Sequence, residues 1–313
     1  MVTMQSWMFL SSFEKMRCHI LKTKDIVCLM HMENMVLGIA FGTAVTIFKN
    51  THIHGYKGTY NQIKLCDIEN EVPKNFPVSE NRFAQVSTDN FSKIPGAPVA
   101  YWVSERIFRA FSSGIRLEQI AKIKVGLQTG NNDLFLRLWF EVNKNRITFN
   151  STNGINVKWV PHNKAGEFRK WYGDEEYIVD WENNGAKIKK CSGSRPQNID
   201  FYFREGLSWS DVSSGSMSVR YWPRGCIFDT CAPTIFDLEH KEYILALLNT
   251  KIGQLIMDIM SPTIHYTAGA MMKFPLLYNN NVLLLTVEGN IAVSKQDWDS
   301  FETSWNFKKN PNL

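Results

Sequence analysis

The chemically most informative stretch of this chain is Gly126-Leu127-Gln128-Thr129-Gly130-Asn131-Asn132-Asp133. Two glycines let a backbone run close to a partner, and the carboxamides of Gln128, Asn131 and Asn132 can pair with adenine edges in a major groove. The same residues suit a polar hairpin turn, and residue types alone leave both readings open. Lys187, Lys189, Lys190 and Arg195, around Ser192-Gly193-Ser194, form a basic loop with few acids, suited to phosphate contact. Lys164, Arg169, Lys170, Trp171 and Tyr172 set cations beside aromatics, which fits phosphate contact and stacking. Glu167, Asp174, Glu175 and Glu176 dilute that field, so a solvated turn with Trp171 tucked into the core is an equal reading.

Other reactive residue types do not assemble into known chemistry. The six cysteines contain no Cys-x-x-Cys pair, and neither Cys226 nor Cys231 has a histidine nearby, so reduced, mostly buried thiols are expected rather than zinc ligands or disulfides. His52 and His54 alternate without a third ligand in sequence. His265 reads as structural, because no nucleophile or second acid is patterned around it. Glu239-His240-Lys241 has a nuclease-like Glu-x-Lys without its upstream Pro-Asp and reads as the acidic opening of a helix.

A length of 313 residues allows about two domains, and 44% hydrophobic content is ample for packed cores. Residues 36–48, the longest nearly uncharged apolar run, fall short of the roughly 18 needed to cross a bilayer. Residues 1–10 lack the basic start and small-residue cleavage pattern of a signal peptide, so a cytoplasmic protein without a membrane partner is expected. The formal charge of +5 is uneven: residues 101–230 hold 19 basic and 14 acidic side chains, residues 231–313 only 6 and 8. The centre would tolerate a polyanion.

These candidates need a frame. Residues 2–10 read as a buried strand, followed by a helix capped by Ser11 or Ser12 with Phe13, Met16 and Ile20 on one face. Strands are expected at 26–32, 37–48 and 58–68, an order resembling the closing part of an α/β sheet. Residues 70–100, polar and holding Pro73, Pro77, Pro95 and Pro98, read as a linker, and a helix follows at 102–111 with Ile107, Phe108 and Phe111 buried. From 123 to 236 short strands alternate with polar clusters, with Trp139, Trp159, Trp171, Trp181, Trp209 and Trp222 mostly as core. Residues 242–260 have the clearest helical period, and Ser294 with Asp297 predicts the start of another helix.

Five strings give the chain a family resemblance: Thr3-Met4-Gln5-Ser6-Trp7-Met8-Phe9-Leu10; Gly126 to Asn131; Trp159-Val160-Pro161 with Gly166-Glu167-Phe168-Arg169-Lys170-Trp171-Tyr172-Gly173; Ile227-Phe228-Asp229-Thr230-Cys231-Ala232-Pro233; and Asp297-Trp298-Asp299-Ser300-Phe301-Glu302. They resemble the adenine-specific DNA methyltransferases of BREX and phage-growth-limitation defence systems, themselves similar to fused restriction-modification methyltransferases. The resemblance implies an α/β fold: the C-terminal part of a Rossmann-like class I methyltransferase sheet with a linker (1–95), an α+β target-recognition domain (96–277) and the start of a helical segment (278–313). It implies S-adenosylmethionine as cofactor of the complete enzyme, double-stranded DNA as partner, and other defence-system proteins or a missing N-terminal part as further partners. The chain has no Gly-x-Gly and no Pro-Pro pair, so the cofactor turn and the Asn-Pro-Pro-Tyr motif that would hold a flipped adenine are absent. No cofactor or catalytic residue is therefore expected in this chain alone. The competing readings are a non-enzymatic DNA-binding or defence-complex module and a fragment of a nuclease-methyltransferase.

Overall fold

The computed structural model describes residues 2–70, 72–78, 83–152, 158–277 and 284–309. The chain divides into two compact units: Met1–Ile115 with Asp258–Pro262 and Pro275–Leu277, and Arg116–Met257 with Thr263–Phe274 and Tyr278–Leu313. No single helix among the described residues is long and apolar enough to cross a membrane.

The first unit is built on a five-stranded mixed sheet. Its strands are β1 (Val2–Met4), β2 (Asp25–Met32), β3 (Thr43–Lys49), β4 (Lys57–Ile63) and β5 (Phe83–Ser87), in the order β1-β3-β2-β4-β5. Only β2 and β4 run parallel, pairing Cys28 with Thr59 and Met32 with Ile63. Helices α1 (Glu14–Thr23), α2 (Thr88–Phe91) and α3 (Glu105–Ser113) accompany it. The core gathers Trp7, Leu21, Ile26, Leu29, Tyr60, Phe91, Tyr101 and Phe108. Tyr60 and Tyr101 stack there with ring centroids 5.2 Å apart.

Several expectations change here, and one side chain accounts for two of them. The strand expected over 2–10 stops at Met4, and Gln5–Met8 turns into a short 3-10 helix with Trp7 and Met8 buried. Arg17 is wholly buried and donates to the carbonyls of Trp7, Leu10, Gly96 and Ala97. Its guanidinium fork thus draws the N-terminal segment onto residues 96–97. The helix face follows: α1 starts without a serine cap and buries Arg17 and Leu21, leaving Met16 exposed. The 70–100 stretch is no linker, since β5 pairs with β4 and Ile94, Ala97, Val99, Ala100 and Tyr101 lie in the core. An interdomain boundary after residue 95 would run through that core. Residues 37–42 form an exposed turn that leaves Leu37, Ile39 and Phe41 in solvent, and the strand begins only at Thr43.

The second unit carries two four-stranded sheets and a two-stranded ribbon. Its strands are β6 (Lys122–Lys124), β7 (Leu127–Gln128), β8 (Leu136–Leu138), β9 (Trp159–Asn163), β10 (Tyr177–Asp180), β11 (Arg195–Pro196), β12 (Gly206–Trp209), β13 (Val219–Trp222), β14 (Ile227–Phe228) and β15 (Thr234–Phe236). One sheet has the order β8-β10-β9-β14, the other β13-β12-β15-β6, and β7 pairs with β11. Trp159, Trp181, Trp209 and Trp222 are buried, whereas Trp139 and Trp171 are half-buried. Only Cys226 of the cysteines is buried, so the expectation of mostly buried thiols is not met.

The helical stretch 242–260 is two helices, α6 (Lys241–Leu248) and α7 (Lys251–Met260). Asn249 breaks it because its side chain acts as a strand partner, accepting from Val219 N at 3.0 Å and donating to Val219 O at 2.9 Å. Ser294 and Asp297 do not open a helix; they lie near the end of α8 (Leu284–Trp298), where the Ser294 hydroxyl bonds the Lys170 and Tyr172 carbonyls. Residues 284–309 are accordingly built into the second unit rather than beginning a separate segment.

Replacing Arg17 by Met would strand several buried carbonyls, each costing on the order of 1–3 kcal/mol when left unanswered. Urea unfolding of Arg17→Met, followed by tryptophan fluorescence, is expected to show a loss of about 3 kcal/mol or more. Arg17→Lys should recover only part of it, because an ammonium cannot fork.

Candidate nucleic-acid interface

The Gly126–Asp133 string and the Arg195 region, read separately in sequence, are brought together by the β7–β11 ribbon. Leu127 pairs with Pro196 and Gln128 with Arg195 in antiparallel register, so the Gln128 and Arg195 side chains are cross-strand neighbours and both are exposed. The glycines make this approach possible. A Cβ on Gly126 would sit 1.8 Å from the Phe228 carbonyl oxygen, and one on Gly130 (φ +79°) would sit 2.7 Å from Ser192 O and Ser194 N. Asn198 closes the edge, donating to the Val125 carbonyl at 2.9 Å.

Within the loop the amides divide their work. The Asn131 side-chain oxygen accepts from Leu134 N at 3.0 Å and caps the short helix α4 (Asn132–Phe135). The Asn132 oxygen accepts from the Thr129 hydroxyl at 2.6 Å. Both oxygens are therefore engaged in turn geometry, while the amino groups of these exposed residues have no partner among the described residues. Gln128 has no such internal duty among the described residues.

The basic candidates also separate. Lys187, Lys189 and Lys190 lie not in a loop but on the helical end of α5 (Glu182–Lys190), whose first turn is left-handed at Asn183, Asn184 and Gly185. Lys187 is tied to Glu182 at 2.7 Å and Asp180 at 3.7 Å, acids that the sequence reading did not count against it. Lys189 lies 5.5 Å from the Trp181 ring centroid. Lys190 and Arg195 are exposed and have no ion pair among the described residues. Arg169 bonds the Tyr172 carbonyl, the Ser294 carbonyl and Asp297, and lies over Trp298. Lys170 donates to the Asn249 carbonyl at 2.7 Å. These two cations brace α8 and the α6–α7 break, leaving few donors for a ligand.

Behind the ribbon lies a buried cluster that the sequence reading missed. Asp229 is 3% exposed, and its carboxylate accepts from His162 Nε2 at 3.2 Å, Lys164 Nζ at 3.0 Å and the Cys231 amide at 2.8 Å. Burial alone would raise this carboxyl, but the His162 hydrogen bond and charge, the Cys231 amide and the Lys164 ammonium outweigh it and hold the group at about 2. Its main chain bridges to Leu127, and Thr230 N donates to the Leu127 carbonyl at 3.2 Å. The sequence reading places Asp229 only within the family string Ile227 to Pro233 and gives it no role.

A second buried acid does a different job. Glu175, 1% exposed, accepts from the Tyr172 hydroxyl at 2.9 Å, and Lys295 donates to that same Tyr172 oxygen at 3.1 Å. Burial pushes its carboxyl up to about 7, against the lowering by Tyr172 and Lys295. It borders a cavity of about 470 Å³ that Phe149, Tyr221, Cys226 and Trp305 also line.

This architecture is that of a mixed α/β protein similar in fold to a DNA restriction-modification enzyme. The solved structure of the type IIL enzyme MmeI, in complex with DNA, aligns with 99% of this chain and 43% of that one at a TM-score of 0.52 and 9% identity. Two adenine-specific methyltransferases are closer in sequence: BrxX of Escherichia coli O9:H4 (strain HS), 37% identical over 320 residues, and PglX of Lacticaseibacillus casei (strain Zhang), 34% identical over 334. Each alignment covers 99% of this chain but only 26% and 28% of the relative, so the chain spans about a quarter of their length. These adenine-specific methyltransferases are its homologues over nearly every residue, in agreement with the family resemblance of its sequence. No family model matches the chain.

The Glu175 carboxyl gives a pH signature. The folded state keeps its proton up to about pH 7, whereas an unfolded glutamate releases it near its ordinary value of 4.5, so this group's stabilisation is complete below that value and lost as pH rises through 7. The loss is on the order of 3 kcal/mol. Denaturant midpoints of Glu175→Gln at pH 5 and pH 8 are expected to lack that fall.

Proposed function

We propose that the second unit is the DNA target-recognition module of an adenine-N6 DNA methyltransferase of a phage-defence or restriction-modification system, and that the first unit is the closing part of its Rossmann-like methyltransferase sheet. The observation that carries this reading is the β7–β11 ribbon, which sets an exposed carboxamide, Gln128, beside an exposed guanidinium, Arg195. A paired ribbon is narrow enough to enter a major groove, where the Gln128 carboxamide suits adenine, while Arg195 and the flanking lysines meet phosphates. Asn131, Asn132, Lys189 and Lys190 would flank it on duplex DNA. Homology to BrxX and PglX supports the same reaction class.

S-adenosylmethionine would be the methyl donor of the complete enzyme. The residues here do not fit it. The first unit's cavity of about 410 Å³ includes His52 and Asp89, but Asp89 is already bonded to His52, His54 and the Gly55 amide and is not free for ribose hydroxyls. The sequence has no Gly-x-Gly pair to form a cofactor turn. A non-enzymatic DNA-binding module is favoured by that same misfit and remains the second reading.

The double variant Lys190→Ala/Arg195→Ala is expected to weaken binding to every duplex and to reduce the salt slope by about 2, since two phosphate-neutralising cations release roughly 0.9 counterion each. Lys187→Ala should do less, its ammonium being held by Glu182. Gln128→Ala should leave the slope intact and cost about 1–3 kcal/mol of discrimination at one base pair. Affinities for several duplexes across a salt series check all three. Calorimetry should find no micromolar binding of S-adenosylmethionine to the chain.

A further inference from the structure

We propose that Asp229 is a positioning residue for DNA sequence reading, acting through the β7–β11 ribbon without touching DNA. This role rests on the target-recognition reading above. The ribbon strand β7 is only two residues long, and an isolated two-stranded pair of that length has no stability of its own in water. Something must hold it from behind.

The held side is Leu127, wholly buried, and the holding side is the segment that follows β14. Gly126 N donates to the Asp229 carbonyl at 3.4 Å, Thr230 N to the Leu127 carbonyl at 3.2 Å, and the Thr230 hydroxyl to the Gly126 carbonyl at 3.4 Å. Asp229 N in turn donates to the Asn163 carbonyl at 2.9 Å, tying the segment to β9. The Asp229 main chain is thus the rung between the sheet and the ribbon. Its carboxylate fixes that rung, because it collects donors from three places: the His162 ring on β9, the Lys164 ammonium just beyond β9, and its own Cys231 amide.

The local chemistry leaves little slack. With the His162 Nε2 hydrogen given to Asp229, its buried Nδ1 has no partner among the described residues, so Asp229 is the one hydrogen-bond partner that orients the ring there. Lys164 is only a quarter exposed and is neutralised by the same oxygen, Oδ2. An uncharged amide at 229 would keep the shape and could still accept from Cys231, but it would lose the charge that holds His162 and Lys164. The rung would then be free to shift, and a reading side chain displaced by about an ångström loses its pairing geometry while phosphate contacts tolerate it.

The test uses the 313-residue chain and a pool of duplexes carrying ten random base pairs, with rounds of retention followed by sequencing, for the parent, Asp229→Asn and His162→Gln. The parent is expected to enrich a motif. Asp229→Asn is expected to retain the unselected pool with the parental salt slope and a melting temperature within a few degrees, yet to enrich that motif at least fivefold less. His162→Gln should shift it in the same direction and stands in if Asp229→Asn does not fold. Equal enrichment by parent and folded variants overturns the positioning role alone, since Lys190→Ala/Arg195→Ala would still weaken retention. If the parent retains no duplex, the target-recognition reading falls, and this role with it.

Discussion

A single buried carboxylate, Asp229, decides where the exposed ribbon of the second unit can lie. A charge taken out of water must be answered by donors, and here the donors come from β9, from the residue beyond it and from the adjoining turn. Because the same residue's main chain contacts Gly126 and Leu127, satisfying the charge and placing the ribbon become one requirement. The close approaches at Gly126 and Gly130 leave no room for a Cβ at either position, so the ribbon can sit there only with glycine.

The distribution of cations follows from the same principle. A guanidinium or ammonium inside the unit is spent on carbonyls or acids, as Arg169, Lys170 and Lys164 are. Arg220, wholly buried, is spent on Asp174 and the Glu167 carbonyl. What remains available to a polyanion is the small set left exposed and unpaired, with Lys190 and Arg195 foremost. Net charge counts Arg169, Lys170 and Arg220 equally with Lys190 and Arg195, although the first three are already held inside the unit.

The first unit solves an equivalent problem with the opposite sign. Arg17 has no ion pair among the described residues and is satisfied by main-chain carbonyls of two segments distant in sequence. Burial lowers its pKa, with Glu14 and Cys18 opposing, yet a guanidinium stays charged and so keeps its donors. This is why a proline-rich, polar stretch that reads as a linker is instead core: its carbonyls are bound, and Ile94, Val99 and Tyr101 pack beneath them.

By itself the sequence determined the strand at 26–32, the first part of the strand expected at 58–68, which ends at Ile63, four of the six tryptophans as core, the helical period of 242–260 without its break at Asn249, and the family, since each rests on local period or on strings of adjacent residues. It also singled out Gln128 and Arg195 as candidates. It did not reveal that they are neighbours, for no local rule relates residues 128 and 195; only backbone pairing does. Tertiary structure alone decided that Asn131 caps a helix, that Lys187 is neutralised by Glu182, and that Asp229 anchors the ribbon. The physical reason is common to all three: a polar side chain's role is set by which donors and acceptors remain unsatisfied around it, and that is known only once the chain has folded.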